Sequence, residues 1–243
     1  MLYKIMQSIR RTLPSTCIVC GQLAERDHCI CNDCERELPK LGSCCQRCGI
    51  ELHGGLAKDS CCTSCQIYPP KFDSCTAAFP YVSPIDKLVA DFKFAARFDI
   101  GHSLSRVLAS AFNAHYAGMP KPELLLPVPL HKSRLGSRGF NQASEICNVL
   151  SRYCGVSISR RTLAKIRNTE PQTSMSSAAA RKANLRKAFA VNRLESLAGI
   201  THIALVDDVV TTMATTQTIS RMLREQQDCR IDVWCLARAS RTL

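Results

Sequence analysis

Residues 203–216 read Ile203-Ala204-Leu205-Val206-Asp207-Asp208-Val209-Val210-Thr211-Thr212-Met213-Ala214-Thr215-Thr216. The first four are apolar, as in a strand buried on both faces, and two adjacent carboxylates stand at its carboxyl end. A hydroxyl-rich loop follows and opens a segment in which Ile219, Met222 and Leu223 recur at helical spacing. A buried strand that feeds a helix belongs to an α/β sheet, and ligands of such sheets bind at the carboxyl ends of the strands. Free N–H groups at the start of a helix attract phosphate, and the hydroxyls of Thr211, Thr212 and Thr215, around Met213 and Ala214, add donors. Asp207 and Asp208 can accept hydrogen bonds from two ribose hydroxyls, or approach a Mg²⁺ shared with them. The expected ligand carries a ribose 5-phosphate; the plainer alternative is a buried strand that ends in a solvated acidic turn.

Upstream, Leu124-Leu125-Leu126-Pro127-Val128-Pro129-Leu130 is a short apolar run closed by prolines, a second buried strand that delivers the chain into a loop. Residues 141–154 place Ala143, Ile146, Cys147 and Leu150 on one helical face, with Gly155 as the stop. Between Ile85 and Tyr116 the apolar positions keep helical spacing, with a break expected near Phe98 to His102. Strand, loop and helix alternate, so the expected fold is α/β with a mostly parallel sheet flanked by helices.

The amino-terminal part follows different rules. Of sixteen cysteines, eleven fall between Cys17 and Cys65, and four CxxC units stand out: Cys17/Cys20, Cys31/Cys34, Cys45/Cys48 and Cys62/Cys65. A tetrahedral zinc site is commonly built from two such units, so four make two structural Zn²⁺ sites. Gly21 and Gly49 follow Cys20 and Cys48, giving an internal duplication that reads as two zinc ribbons in tandem. Sequential pairing joins Cys17, Cys20, Cys31 and Cys34, then Cys45, Cys48, Cys62 and Cys65; spacing also permits a cross-braced arrangement. Cys29, Cys44 and Cys61 sit beside the candidates and are alternative ligands. Cys75, Cys147, Cys154, Cys229 and Cys235 read as buried small hydrophobes.

At 243 residues and 46% hydrophobic, the chain suits one small module beside one α/β domain. The expected division is a tail or helix over 1–15, a double zinc-ribbon module over 16–78 and the α/β domain over 79–243. No apolar stretch approaches the ~18 residues of a membrane span, and Arg10 and Arg11 come after the first apolar positions rather than before them, unlike an export signal. A cytoplasmic protein without membrane insertion is expected, in which disulfides are rare. The formal charge of +12 falls to +8 once two Cys₄ zinc sites are counted at −2 each. Between Lys132 and Lys187 twelve Lys/Arg face two Asp/Glu, a stretch that attracts phosphates, while Phe140, Tyr153 and Phe189 are its few aromatic candidates for stacking single-stranded DNA.

The Asp-Asp-Thr-Thr strand end resembles the phosphoribosyl pyrophosphate (PRPP) signature of type I phosphoribosyltransferases. Pro127-Val128-Pro129-Leu130-His131-Lys132, Arg134 and Arg138-Gly139-Phe140-Asn141-Gln142, then Thr169, Gln172, Arg181, Asn184, Ala188 and Phe189, resemble the ComF family, including its GntX branch. With the CxxC ladder the resemblance spans nearly the whole chain. It implies a type I phosphoribosyltransferase-like domain behind the double zinc ribbon, with Asp207, Asp208 and Thr211 to Thr215 as the PRPP loop. It further implies a pyrophosphate loop of Val128, Pro129, Lys132, Arg134 and Arg138, and a hood carrying Gln172, Arg181 and Asn184. The family's loop usually has glycine where this chain has Met213. Implied ligands are PRPP, or another ribose 5-phosphate compound, with Mg²⁺. The implied role is in DNA uptake, natural transformation or the use of external DNA, with single-stranded DNA and DNA-translocation machinery as partners. Two other readings stand beside it: a transferase that moves phosphoribosyl from PRPP to an amine or base and releases pyrophosphate, and a zinc scaffold with a vestigial site.

Overall fold

The computed structural model describes residues 15–24, 29–52, 60–168 and 187–240. Five strands form one sheet in the order β3(Ser74–Pro80), β9(Arg230–Arg238), β8(His202–Val210), β4(Leu124–Pro127), β5(Ser157–Ile158), and every pairing in it is parallel. The expected α/β architecture is thus present, with all strands of the central sheet parallel. Residues 203–206 of β8 and 231–237 of β9 have virtually no exposed surface, which is why they read as apolar runs rather than alternating ones. Asp232 interrupts that run, and its buried carboxylate accepts from His202, Tyr116 and Ser74.

Helices α3(Ile85–Phe94), α4(Phe98–His115), α6(Gln142–Cys154) and α7(Ala214–Arg224) cover the sheet through Val89, Phe92, Leu104, Leu108, Ile146, Leu150, Ile219 and Leu223. The break expected at Phe98–His102 lies instead at Ala95–Arg97, where Ala96 takes φ 52°, and α4 runs on through Gly101. Gly101 marks a close approach rather than a helix stop: a Cβ there would meet the Phe92 ring at 2.4 Å. Gly155 does end α6, at φ 75°.

The four CxxC units carry a backbone hydrogen-bond pattern that occurs twice. Gly21 N–H donates to Cys17 O and Gly49 N–H to Cys45 O; Cys17 N–H donates to Gln22 O and Cys45 N–H to Ile50 O. Each glycine is left-handed, at φ 74° and 68°. Short helices α1(Asn32–Glu37) and α2(Thr63–Ile67) begin inside the second and fourth units, with Cys31 and Cys62 as their N-caps and Cys34 and Cys65 within them, and the small strands β1(Ser15–Thr16) and β2(Leu23–Ala24) pair antiparallel. The two ribbons face different cores. Cys17, Ile30 and Leu38 cluster with Phe79, Leu88 and Phe112, whereas Cys45, Cys48, Cys65 and Phe72 cluster with Val210, Met213 and Ile219. All five scattered cysteines are buried, as small hydrophobes should be.

Candidate functional site

β4 pairs with β8 only as far as Pro127 opposite Val206, while β9 accompanies β8 to Arg238 opposite Val210. Beyond Val206 the β4 side of β8 is therefore open, because the chain turns away into α5(Lys132–Arg138). From this point β4 leads outward to β5, and β8 leads through α7 to β9 on the other side, so the gap is a topological switch point. Asp207 and Asp208 occupy the open edge. They lie inside β8, which continues to Val210, rather than after the strand; pairing with β9 holds them extended.

A cavity of about 280 Å³ fills the gap. Of the candidate residues, Val128, Arg134, Arg138, Asp207 and Asp208 line it and residues 211–215 do not; Lys93, Phe94, Leu130, Asn141, Gln142 and Ala143 complete the lining. Pro129 and Lys132 are outside the lining, and Lys132 is exposed at the start of α5. Asn141 fixes the corner: its amide donates to Val128 O at 3.0 Å while its oxygen caps α6 by accepting from Ala143 N–H at 3.1 Å. Arg138 is held between Gln142 Oε1 at 2.8 Å and the Phe94 ring at 5.2 Å. The hood residues Gln172, Arg181 and Asn184 lie outside the described residues. Lys165 of β6(Leu163–Lys165) is half-buried; burial and Arg134 hold its ammonium below the ordinary lysine range, and Asp207 opposes both.

The two carboxylates differ. Asp208 pairs with Lys93 at 3.1 Å. Asp207 is pushed up to about 8, first by burial and then by the charge of Asp208; the Asp208 N–H, Lys93 and Lys165 pull the other way. Asp208 thus makes the ion pair with Lys93, while burial favours the protonated form of Asp207 near neutrality, a proton that a cation or a hydroxyl donor could replace.

After Val210 the chain bends through Thr211 and Thr212 to Met213, which caps α7 at φ 62°, ψ 5°. The backbone here has the left-handed conformation that favours glycine, and the methionine side chain is only 5% exposed, packed beside Val210 and Ile219. Apolar burial therefore offsets the left-handed penalty. Gln217 N–H donates to Met213 O as the first bond of the helix, which leaves the amides of Ala214, Thr215 and Thr216 at its open end. Among the described residues the hydroxyls of Thr211, Thr212 and Thr215 have no protein partner; Thr216 instead donates to Met213 O.

The two cysteine groups assemble sequentially. The sulfurs of Cys17, Cys20, Cys31 and Cys34 lie within 4.8 Å of one another, and so do those of Cys45, Cys48, Cys62 and Cys65. A tetrahedron with metal–sulfur bonds of about 2.3 Å has edges of about 3.8 Å. The Cys20–Cys31 sulfurs are 3.8 Å apart and the Cys48–Cys62 sulfurs 3.7 Å, so both sets fit Zn²⁺. Equivalent backbone donors, Cys31 N–H to Cys17 Sγ and Cys62 N–H to Cys45 Sγ, each span 3.3 Å. Burial alone would raise the Cys17 and Cys45 thiols, but these and neighbouring N–H donors outweigh it and bring them down to about 6 and about 7, towards the thiolate that zinc requires. Cys29, Cys44 and Cys61 belong to neither group; Cys44 turns its thiol to Gly42 O.

Of the three aromatics proposed for stacking, Phe189 is buried at the start of β7(Phe189–Val191) and Phe140 packs on Phe92 and Phe98, so only Tyr153 is exposed. Phe94, one of the apolar positions whose helical spacing between Ile85 and Tyr116 pointed to a core face, is instead 78% exposed at the cavity rim.

No helix among the described residues is long and apolar enough to cross a membrane. The double zinc ribbon domain family matches residues 9–66. The chain is 33% identical over 231 residues to the DNA utilization protein YhgH of Salmonella typhi, covering 93% of this chain and 98% of that one. It is 32% identical over 228 residues to competence protein F of Haemophilus influenzae, covering 92% and 96%. Competence protein ComFC of Bacillus subtilis is 26% identical over 211 residues, covering 84% and 81%. Among solved structures, a hypoxanthine phosphoribosyltransferase from Trypanosoma cruzi aligns at a TM-score of 0.35 and 16% identity, over 57% of this chain and 67% of that one. Two Cys₄ groups ahead of a parallel α/β sheet, and relatives matched over almost their full length, place this chain in the ComF family.

Proposed function

We propose that this protein binds PRPP with Mg²⁺ in the cleft between β4 and β8, and that with this ligand it serves DNA uptake or the use of external DNA on the cytoplasmic side of the membrane. One observation carries the ligand. The switch point gathers a carboxylate pair, Asp207 and Asp208, and the cations Lys93, Arg134 and Arg138 around one cavity, with the open amides of α7 just beyond β8. Arginines suit a pyrophosphate because each guanidinium can bind two oxygens at once. The carboxylates suit ribose hydroxyls and a Mg²⁺ bridging to them. A volume of about 280 Å³ suits a sugar phosphate rather than a large ligand. The role in DNA use rests on the relatives named for DNA utilization and competence. Arg134 and Arg138 beside the exposed Phe94 supply charge and a stacking face for a single strand. Calorimetric titration of PRPP and Mg²⁺ into zinc-loaded protein tests the ligand: saturable binding is expected, and a flat titration rules the site out.

A second reading, transfer of phosphoribosyl from PRPP to an amine or base, is favoured by Asp207. Its carboxyl, pushed up to about 8, sits where a general base works near neutral pH. Pyrophosphate release in the presence of candidate acceptors distinguishes turnover from binding alone.

A further inference from the structure

Arg238 closes β9, is 1% exposed, and joins two sites that the sequence places more than 100 residues apart. Its Nε donates to the carbonyl of Cys48, a ligand of the second zinc group, at 2.8 Å. From the same guanidinium, Nη1 donates to Val210 O at 2.9 Å and Thr211 O at 2.6 Å, where the phosphate loop begins, and to Ala239 O at 2.7 Å. Nη2 is buried with no hydrogen-bond partner, and among the described residues no carboxylate forms a salt bridge with this arginine. A buried cation of this kind is costly unless some negative charge faces it. Four thiolates around Zn²⁺ carry a net −2, and the second group lies at the other end of the Nε bond.

The packing agrees with the hydrogen bonds. Cys45, Cys48 and Cys65 share a core with Val210, Met213 and Ile219, whereas Cys17 of the first group packs on the other core with Leu88 and Phe112. Gly49, directly after Cys48, admits no side chain, because a Cβ would meet Cys75 O at 2.5 Å. The second knuckle therefore sits rigidly against β3 and has little room to shift alone.

We propose that Arg238 is a positioning residue that ties the second zinc site to the phosphate loop, so that metal occupancy there and ligand binding at Asp207–Thr215 are coupled, while the first zinc site stands apart. When the second group holds Zn²⁺, its charge and the fixed Cys48 carbonyl hold the guanidinium, which in turn holds the Val210 and Thr211 carbonyls and aims the helix start. Metal loss frees the Cys48 knuckle from the fixed tetrahedron and so releases this strut. Coupling is reciprocal, so a ligand that needs the ordered loop tightens zinc at the second site. The ligand half of this inference rests on the function proposed above.

The test uses full-length protein loaded with ¹¹³Cd at both sites, whose two resonances report each site separately, together with chelator-driven zinc release and amide hydrogen exchange. Variants are Arg238→Lys, which keeps the charge but loses the fork, and Arg238→Met. Without ligand, both variants are expected to speed metal loss from the second site only and to raise exchange at residues 211–216, with Arg238→Lys rescuing little. With PRPP and Mg²⁺, wild type is expected to release second-site zinc about tenfold more slowly, a coupling of about 1.4 kcal/mol, and neither variant is expected to show this slowing. Equal acceleration at both sites, or unchanged exchange at 211–216, overturns the strut and leaves Arg238 as general packing. PRPP that binds wild type without slowing second-site release overturns the coupling, whereas failure of PRPP to bind wild type refutes the proposed function and this ligand arm while the exchange arm still decides the strut.

Discussion

Met213 allows the loop's backbone conformation to be weighed separately from its packing. Met213→Ala and Met213→Gly both delete the buried side chain beyond Cβ, a loss of about 2–5 kcal/mol for a methionine truncated in a core. They differ in the backbone. At φ 62° alanine keeps the left-handed penalty of about 1–2 kcal/mol that any L side chain bears, and glycine does not. Part of that advantage is returned, because glycine is freer in the unfolded chain by about 0.5–1 kcal/mol. Met213→Gly should therefore be the more stable of the two by up to about 1 kcal/mol, reversing the usual order inside a helix or strand. For a chain of this size that is about 2–4 °C in Tm. Urea and thermal unfolding of the two variants, both fully zinc-loaded so that metal binding does not shift the comparison, supply the measurement. An alanine variant as stable as the glycine variant, or more so, would show that residue 213 is not left-handed, and the account of how this loop does without glycine would fall.

Other expectations follow from the same geometry. Cys20→Ser should remove one metal of two and open the first ribbon, since structural zinc contributes about 10 kcal/mol or more to such modules; metal analysis with limited proteolysis should find the second site intact. Folding retains the proton on Asp207 up to about 8, so this group's contribution to stability is fully present below the ordinary carboxylate value of 3.8 and is lost progressively as pH rises from there to about 8. Ligand and Mg²⁺ need the carboxylate, so binding should release a proton below pH 8 and weaken by up to tenfold per unit as pH falls; calorimetry in buffers of different ionisation enthalpy reads the proton, and a buffer-independent enthalpy at pH 7 contradicts the assignment. Single-stranded DNA should shift in a gel at low salt, less so for an Arg134→Ala, Arg138→Ala double variant, and no shift even at low salt excludes that interface.

Much of the fold was legible where one force dominates. The uninterrupted apolar run Ile203–Val206 could only be a strand buried on both faces, and four CxxC units could only assemble in a few ways. Sequential pairing became decidable only in the fold, which gathers the sulfurs of Cys17, Cys20, Cys31 and Cys34, and those of Cys45, Cys48, Cys62 and Cys65, within 4.8 Å of one another. The site was harder to read. Lys93 and Phe94 end a helix more than 100 residues before Asp208, and helical spacing alone does not say which positions at a helix end will face a cleft. The break expected near Phe98 to His102 was misplaced, and Gly101 within that stretch is glycine because of a tertiary contact, the Phe92 ring. Arg238 lies in an unremarkable strand end, and its partners Cys48 and Thr211 become neighbours only when the sheet forms.

The most direct test of the central claim is titration of PRPP, ribose 5-phosphate and pyrophosphate, each with Mg²⁺, into zinc-loaded wild type and the Asp207→Asn, Asp208→Asn double variant. Both substitutions keep size and remove charge, so the variant should keep its two metals and its fold. Wild type is expected to bind PRPP saturably and the two fragments more weakly, and the folded variant is expected to lose PRPP binding. Undiminished PRPP affinity in that variant would contradict the claim and place the ligand elsewhere.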